Sequence, residues 1–518
     1  MNDGDLAGRA LRATRSNLLT FPLLAICAFA AGIVVARILS VPEFGVYALA
    51  LALRGTVQFL ADLGTGTASA RAFAQLESAG RRASAVRLYR RLALARGSAA
   101  LLVAIGSVLA ADQILDYLDL GSDQHQVLWW LVVMGVAEIV GGLGVYVLTG
   151  TLGQRWLNRV LLLSGVAQPL LVISAALAGL GLTGVLAALA VTSIGKAVAL
   201  HVGAVRSLQR LQSHGEDGSS LAGSLVRTAG AASVGKLASW VHTRAALSLF
   251  LLPAAGSAEF AVFALGYDLA HQLMALVAAP AGNVVPAVVA KTTGDRERLR
   301  RIISPVISFL LTAATGYGLA VALAIPVLDG PLYGVPYADI GRYVSVLVPA
   351  LVAEIALATP ATAILLADDR LLRRFTIVRA LELGLVVLYP IAGFERLIEV
   401  TAIMSAVRCG TAVALIAIAQ ASVGRLLPTA WPPRLFVAAL VSAALGMAGT
   451  LIPVTDVLKA IAAGIIATVA YVVLVRRLRL LGESELRLAE RIYPAARPVL
   501  AWLAGDQLRG RRRTVKAG

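Results

Sequence analysis

Long apolar runs alternate with short polar breaks along the chain from Leu18 to Val475. Most runs are close to the ~20 residues that an α-helix needs to cross a bilayer. Cutting at charged and Pro/Gly-rich breaks gives fourteen spans. Seven lie at about 18–37, 43–64, 92–111, 127–149, 160–178, 183–203 and 228–252, and seven at about 259–286, 302–327, 341–366, 375–393, 399–420, 435–452 and 458–475. The pattern predicts an all-α, polytopic membrane protein. Composition agrees, with 58% apolar and 14% charged residues, where a soluble protein carries about 25% charged residues.

The net charge of +17 suggests either nucleic-acid binding or orientation of the chain in a membrane, and position decides. With the N-terminus inside, the inside segments hold 35 of the 46 Lys and Arg, and the outside loops hold one, Arg396. Outside loops lean acidic, through Asp112, Asp116, Asp119, Asp123, Asp329 and Asp339. That is the positive-inside distribution. It predicts both termini in the cytoplasm and accounts for the charge without a nucleic-acid partner. The two cysteines, Cys27 and Cys409, give no disulfide framework or metal cluster. The first run follows Arg9, Arg12 and Arg15 like a signal peptide, but "ARILSVPEF" is a poor cleavage site, so it reads as an uncleaved first span. The tail from Arg476 contains "ESELRLAERIYPAARPVLAWLAG", which reads either as a segment along the inner leaflet or as a loosely ordered basic tail.

Two phrases recur at one offset. "VPEFGVYALALAL" (Val41–Leu53) returns as "SAEFAVFALGYDL" (Ser257–Leu269), 216 residues later. "VAEI" at Val136–Ile139 returns at Val352–Ile355 on the same offset, as do Tyr117 at Tyr333 and Gly66 at Gly282. "GKAVAL" (Gly195–Leu200) faces "GTAVAL" (Gly410–Leu415) at 215. The register predicts two parallel six-helix repeats, each entering from the same side, with two extra C-terminal helices. The expected divisions are a cytoplasmic N-terminus 1–17, an N-lobe 18–204, a linker 205–227, a C-lobe 228–420, spans 13 and 14 within 421–475, and a basic tail 476–518. Parallel repeats of this kind place a substrate site between halves.

The stretch "ARILSVPEFGVYALALALRGTVQFLADLGTGTASARAFA" resembles the first-repeat signature of bacterial polysaccharide and O-antigen flippases, members of the multidrug/oligosaccharidyl-lipid/polysaccharide exporter superfamily. The resemblance rests on Arg37, Leu39-Ser40, Phe44-Gly45, Tyr47-Ala48, Asp62-Leu63-Gly64 and Arg71. In the second half it rests on "AEFAVFALGYDL", "NVVPAVVA" (Asn283–Ala290) and "LYGVPYADIGRYVSVLVPAL" (Leu332–Leu351). It implies two six-helix lobes around a central cavity, alternating access, and a lipid-linked oligosaccharide cargo on undecaprenyl pyrophosphate. One departure stands out: Ala278-Ala279-Pro280 replaces the Asp-Leu-Gly element in the second copy, so any role of Asp62 belongs to one lobe.

A charge deep in a span costs about 2.5–3.5 kcal/mol on insertion scales, so each needs a reason. Glu138 and Glu354 are repeat mates near mid-membrane, and the last span of each half carries Lys196 or Arg408. Two structural ion pairs are expected, Glu138–Lys196 and Glu354–Arg408; the alternative is a carboxylate that carries a coupling proton or sodium ion. Arg54, Gln58 and Asp62 form one polar stripe at i, i+4 and i+8. Lys236, Trp240 and Arg244 form another, with His242 beside them, and span 8 adds Asp268, His271 and Gln272. The resemblance puts these spans at the cavity, which makes Arg54, Gln58, Asp62, Lys236, Trp240, Arg244, Asp268 and His271 candidates for binding an anionic headgroup. The alternative is an internal network such as Arg54–Asp62 or Arg244–Asp268. Arg binds pyrophosphate oxygens as a bidentate fork and Lys as a point charge.

The expected function is flipping of an anionic lipid-linked oligosaccharide across the cytoplasmic membrane. Lipid II flipping and multidrug export are alternatives on the same fold, and a membrane polysaccharide polymerase or ligase is a third. The short outside loops argue against that enzyme. No nucleotide-binding loop is present in the sequence and no cofactor is expected. Expected partners are the lipid-linked cargo, membrane lipids and polysaccharide assembly proteins, with the chain acting as a monomer.

Overall fold

The computed structural model describes residues 23–504, apart from 25, 63–64, 79, 118–124, 152, 212–232, 235–236, 239, 283–288, 290–295, 338, 368, 388–395, 428–430, 452–454 and 493–496. The described elements are helical. In chain order they are α1 (Ile26–Ile38), α2 (Val41–Asp62), α3 (Thr65–Ser78), α4 (Arg82–Leu109), α5 (Ala111–Tyr117), α6 (His125–Gly150), α7 (Gln154–Leu177) and α8 (Gly181–Gln209). Then follow α9 (Arg244–Gly282), α10 (Arg296–Tyr333), α11 (Ile340–Ala353), a π-helical turn (Glu354–Ala358), α12 (Thr359–Ala367), α13 (Asp369–Val387) and α14 (Leu397–Val423). The last four are α15 (Trp431–Gly449), α16 (Asp456–Arg477), α17 (Glu483–Ile492) and α18 (Arg497–Ala504).

Ten described segments are long and apolar enough to cross a membrane. This is an all-α polytopic membrane protein. Its backbone polar groups are satisfied within helices, as a hydrocarbon solvent requires. Among the ten, α4, α7, α15 and α16 carry large exposed apolar side chains, for example Leu102, Leu109, Leu163, Leu177, Phe436 and Ile465. In a lipid environment such faces are solvated by acyl chains. By contrast α6 is largely buried, with Leu131, Met134, Ile139, Leu143 and Val147 covered by neighbouring helices and Trp129 and Val140 left exposed.

The apolar pattern predicts a loop near 253–258, between the seventh and eighth spans. Instead α9 runs unbroken through "PAAGSA". Alanine is a strong helix former, and one proline removes only one backbone hydrogen bond, so this short segment does not force a break.

The chain forms two compact units. One comprises 26–264 and 379–397; the other comprises 1–25, 265–378 and 398–518. In the first unit, α8 packs closely on α6 because two glycines line the seam. A Cβ on Gly141 would lie 3.0 Å from the Cα of Ala197, and one on Gly144 would lie 2.8 Å from the Leu200 carbonyl carbon. Small residues at this spacing let helix backbones approach closely in membranes. In the second unit, Ile303, Ile307, Leu365, Ala412, Leu415 and Ala419 form a fully buried cluster. A further cluster there joins Trp431, Tyr471, Val475, Leu480, Leu486 and Leu500. The described part of the C-terminal tail is thus folded: Trp431 Nε1 donates to the Leu480 carbonyl at 2.7 Å, and the Arg476 guanidinium lies over the Trp502 ring at 4.4 Å.

The doubled phrase does different work at its two sites. Glu43 accepts from the Ser40 N–H at 2.8 Å and from its hydroxyl at 2.7 Å. This is a Ser-x-x-Glu capping arrangement at the start of α2. Three residues before Glu259 stands Gly256, with no hydroxyl. There Glu259 accepts instead from the N–H of Leu397 at 3.2 Å, at the first residue of α14.

Candidate functional site

The close seam between α6 and α8 delivers Lys196, the neighbour of Ala197, to Glu138, one turn before Gly141. Lys196 Nζ donates to both carboxylate oxygens of Glu138, at 2.7 and 2.8 Å. Arg54 reaches the same carboxylate from α2, with Nε 3.4 Å from Glu138 Oε1. Its Nη1 donates at 2.9 Å to Oε1 of Gln168 on α7. Three helices therefore meet at one carboxylate that is 2% exposed, and α7 reaches it only through Arg54; Arg54 is 23% and Lys196 18% exposed. Two cations face one anion, leaving a formal surplus of one positive charge.

Two turns along α2 from Arg54, Asp62 meets Arg96 of α4 at 3.8 Å rather than Arg54. Arg96 donates to the Ile139 carbonyl at 3.0 Å and stacks over the Tyr146 ring at 5.3 Å. The Arg54–Asp62 pairing considered from sequence is thus not the one formed: eight residues along a helix put the two groups about 12 Å apart in rise, and each has a nearer partner on another helix. Trp240 stacks on Phe59 of α2, with ring centroids 5.1 Å apart and planes 9° apart. The backbone of Gln58 lies on α2, and Arg244 opens α9. Lys236 lies outside the described residues.

In the second unit, Arg408 of α14 donates to Glu354, the first residue of the π-helical turn. The two carboxylates 216 positions apart therefore each meet a cation, in unlike settings. Glu138 is sealed beneath two cations. Glu354 is 45% exposed and meets one cation that is 8% exposed. The Thr359 hydroxyl donates to the Glu354 carbonyl at 2.9 Å, closing the wide turn. His271 stacks on Tyr267 with centroids 4.2 Å apart, and Asp268 follows Tyr267 on α9.

Sequence reasoning missed Gln168, Arg96, Tyr146, Arg379 and Glu382. Arg96, Arg379 and Glu382 were discoverable as charges inside or at the edges of apolar runs. Gln168 and Tyr146 carry no charge and gave no signal. Among the described residues no cluster of three or more His, Cys, Asp or Glu suits a metal ion.

No family model matches the chain, and no curated protein matches it. Solved structures do. A lipid II flippase, MurJ, in an inward closed conformation aligns with a TM-score of 0.69 at 11% identity, over 89% of this chain and 99% of that one. A multidrug resistance MATE family transporter of the MOP superfamily aligns at 0.58 and 17%, over 79% and 98%. A MOP superfamily transporter from Pyrococcus furiosus, described as having a binding pocket of reverse polarity, aligns at 0.51 and 16%, over 80% and 96%. At these identities the likeness is one of fold: the chain has the fold of MOP superfamily transporters.

Proposed function

We propose that the chain is a transporter that flips an anionic lipid-linked oligosaccharide, of the undecaprenyl-pyrophosphate type, across the bacterial cytoplasmic membrane for surface polysaccharide export. It works by alternating access between two lobes, 18–204 and 228–420, with both termini in the cytoplasm. The observation that carries this reading is the surplus positive charge at Glu138. Arg54 and Lys196 share one sealed carboxylate and both keep partial exposure. Neutralising a buried carboxylate takes one cation, and a second one is expensive at membrane depth. A pyrophosphate supplies the missing negative charge, and an Arg fork fits its oxygens. A cationic drug would be repelled.

Lipid II carries the same pyrophosphate, and a lipid II flippase has the same fold, so that cargo is the second reading. Deletion of the gene in the bacterium that encodes it separates the two. Loss of surface polysaccharide with normal cell-wall growth supports the first reading; loss of growth supports the second. Complementation with Arg54→Ala is expected to restore less than a tenth of surface polysaccharide at normal protein level. Full restoration by Arg54→Ala overturns the site assignment.

A further inference from the structure

A second set of ionisable side chains is buried apart from the Glu138 cluster. His242 Nε2 lies 2.9 Å from Glu382 Oε1. Arg379 Nη1 donates to Glu382 Oε2 at 2.7 Å. His242 and Glu382 are each 2% exposed. Arg379, one turn away on α13, already neutralises Glu382, so a structural pair needs no third member. The third member is an imidazole, the side chain that changes charge between about pH 5 and 8. The set is neutral with neutral imidazole and carries one positive charge with imidazolium.

The backbone places this group at a break. Val241–Thr243 is a turn between the helical residue Trp240 and the start of α9. The Thr243 hydroxyl donates to the Trp240 carbonyl at 2.6 Å, and the Val241 N–H donates to the Leu237 carbonyl at 3.1 Å. A break inside an apolar run is where a spanning chain bends without unmaking a whole helix. Two residues before His242, Trp240 lies flat on Phe59 of α2. Phe59 follows Arg54 by five residues on the same helix.

We propose that His242 and Glu382 form a proton-binding site, linked through Trp240 and Phe59 to the helix that carries Arg54. One proton from water binds the imidazole as its contact with Glu382 closes. The proton returns to water as the contact opens, and no other bond forms or breaks. On α13 the charged groups facing His242 are Glu382 and, behind it, Arg379. On α2, which meets this segment through Phe59, the charged groups are Glu43, held by Ser40 at the helix start, and Arg54 and Asp62, engaged with Glu138 and Arg96. On its own segment Arg244 follows two residues later. The site stands for any cargo; its use in moving cargo rests on the transporter reading above.

The test is a pH titration of tryptophan fluorescence on the purified full chain in lipid nanodiscs, with the proton as the only ligand. Subtracting the Trp240→Phe signal from wild type isolates Trp240. The expected result is a single-proton transition with a midpoint between about pH 5 and 8. It is lost in His242→Gln and kept in His201→Gln. It moves to lower pH by about one unit or more in Glu382→Gln, because the imidazolium loses its counter-charge. A flat wild-type trace, or a transition that persists in His242→Gln, overturns the proposal. If His242→Gln does not fold, the wild-type trace and the Glu382→Gln shift decide alone. No cargo is in the cuvette, so a flat trace leaves the Arg54 complementation result standing, and a failed complementation leaves the titration standing.

Discussion

Glu138 is the counter-charge for both Lys196 and Arg54, so the three side chains are unequal in what their loss does. Replacing Glu138 by Gln strands Lys196 and leaves Arg54 with Gln168 alone. Breaking a buried pair from one side costs about 3–5 kcal/mol. Replacing Arg54 by Ala leaves the Lys196 pair intact and removes the surplus cation, so it is expected to cost less than Glu138→Gln. Thermal unfolding of the purified variants checks both: Glu138→Gln is expected to unfold well below wild type and Arg54→Ala close to it. Comparable losses in the two would mean that Arg54 is as structural as Lys196. The meeting of Glu138 with Lys196 was legible in the sequence, because two opposite charges at similar depth in apolar runs have few partners available. That Arg54 joins them was not. A polar stripe along α2 gives the face of a helix but not which neighbours cover it, and the sequence pairing Arg54–Asp62 yielded to partners on α6, α7 and α4.

The seam between α6 and α8 is set by glycines, and two substitutions of the same kind are expected to act with opposite sign. Gly144→Ala places a Cβ 2.8 Å from the Leu200 backbone. Backbone cannot rotate away as a side chain does, so the helices must separate, at about 1–3 kcal/mol. Gly97→Ala on α4 meets nothing within 4 Å and is expected to stabilise by about 0.5–1 kcal/mol through helix propensity alone. Midpoints of thermal unfolding in detergent, measured side by side, check the pair. An equal or larger loss at Gly97 would mean that the seam is not what sets the sign. Element existence was legible wherever an apolar run was long, as for α6, α8 and α14. Element boundaries were less so. The run near 253–258 looks like a loop by its small residues, yet the same alanines that lower its hydropathy favour helix. The Ser40–Glu43 cap was written in the sequence as Ser-x-x-Glu, and its absence from the second copy, where Gly256 stands, marks the place where α9 continues.

At the scale of the whole chain, the distribution of Lys and Arg predicts an orientation that apolar patterning by itself does not give. A fluorescent protein fused after Gly518 is expected to fluoresce, and alkaline phosphatase fused at the same point to stay inactive; the reverse outcome would invert the proposed topology. The doubled register is a feature of the sequence, where repeated phrases stand 216 residues apart. What the register hid is that equivalent positions came to differ. Glu138 answers to two cations from two other helices, and Glu354 answers to one, on a widened turn. The two halves therefore differ in how repairable they are by further mutation. Loss of the charge at Glu354 leaves one stranded partner, so a single second change, Arg408 to an apolar residue, is enough to balance it. Loss at Glu138 leaves two, and no single change removes both. Suppressors of the first defect lie one step away in sequence space, while those of the second lie two steps away, which makes the first unit the less forgiving half of the chain to drift.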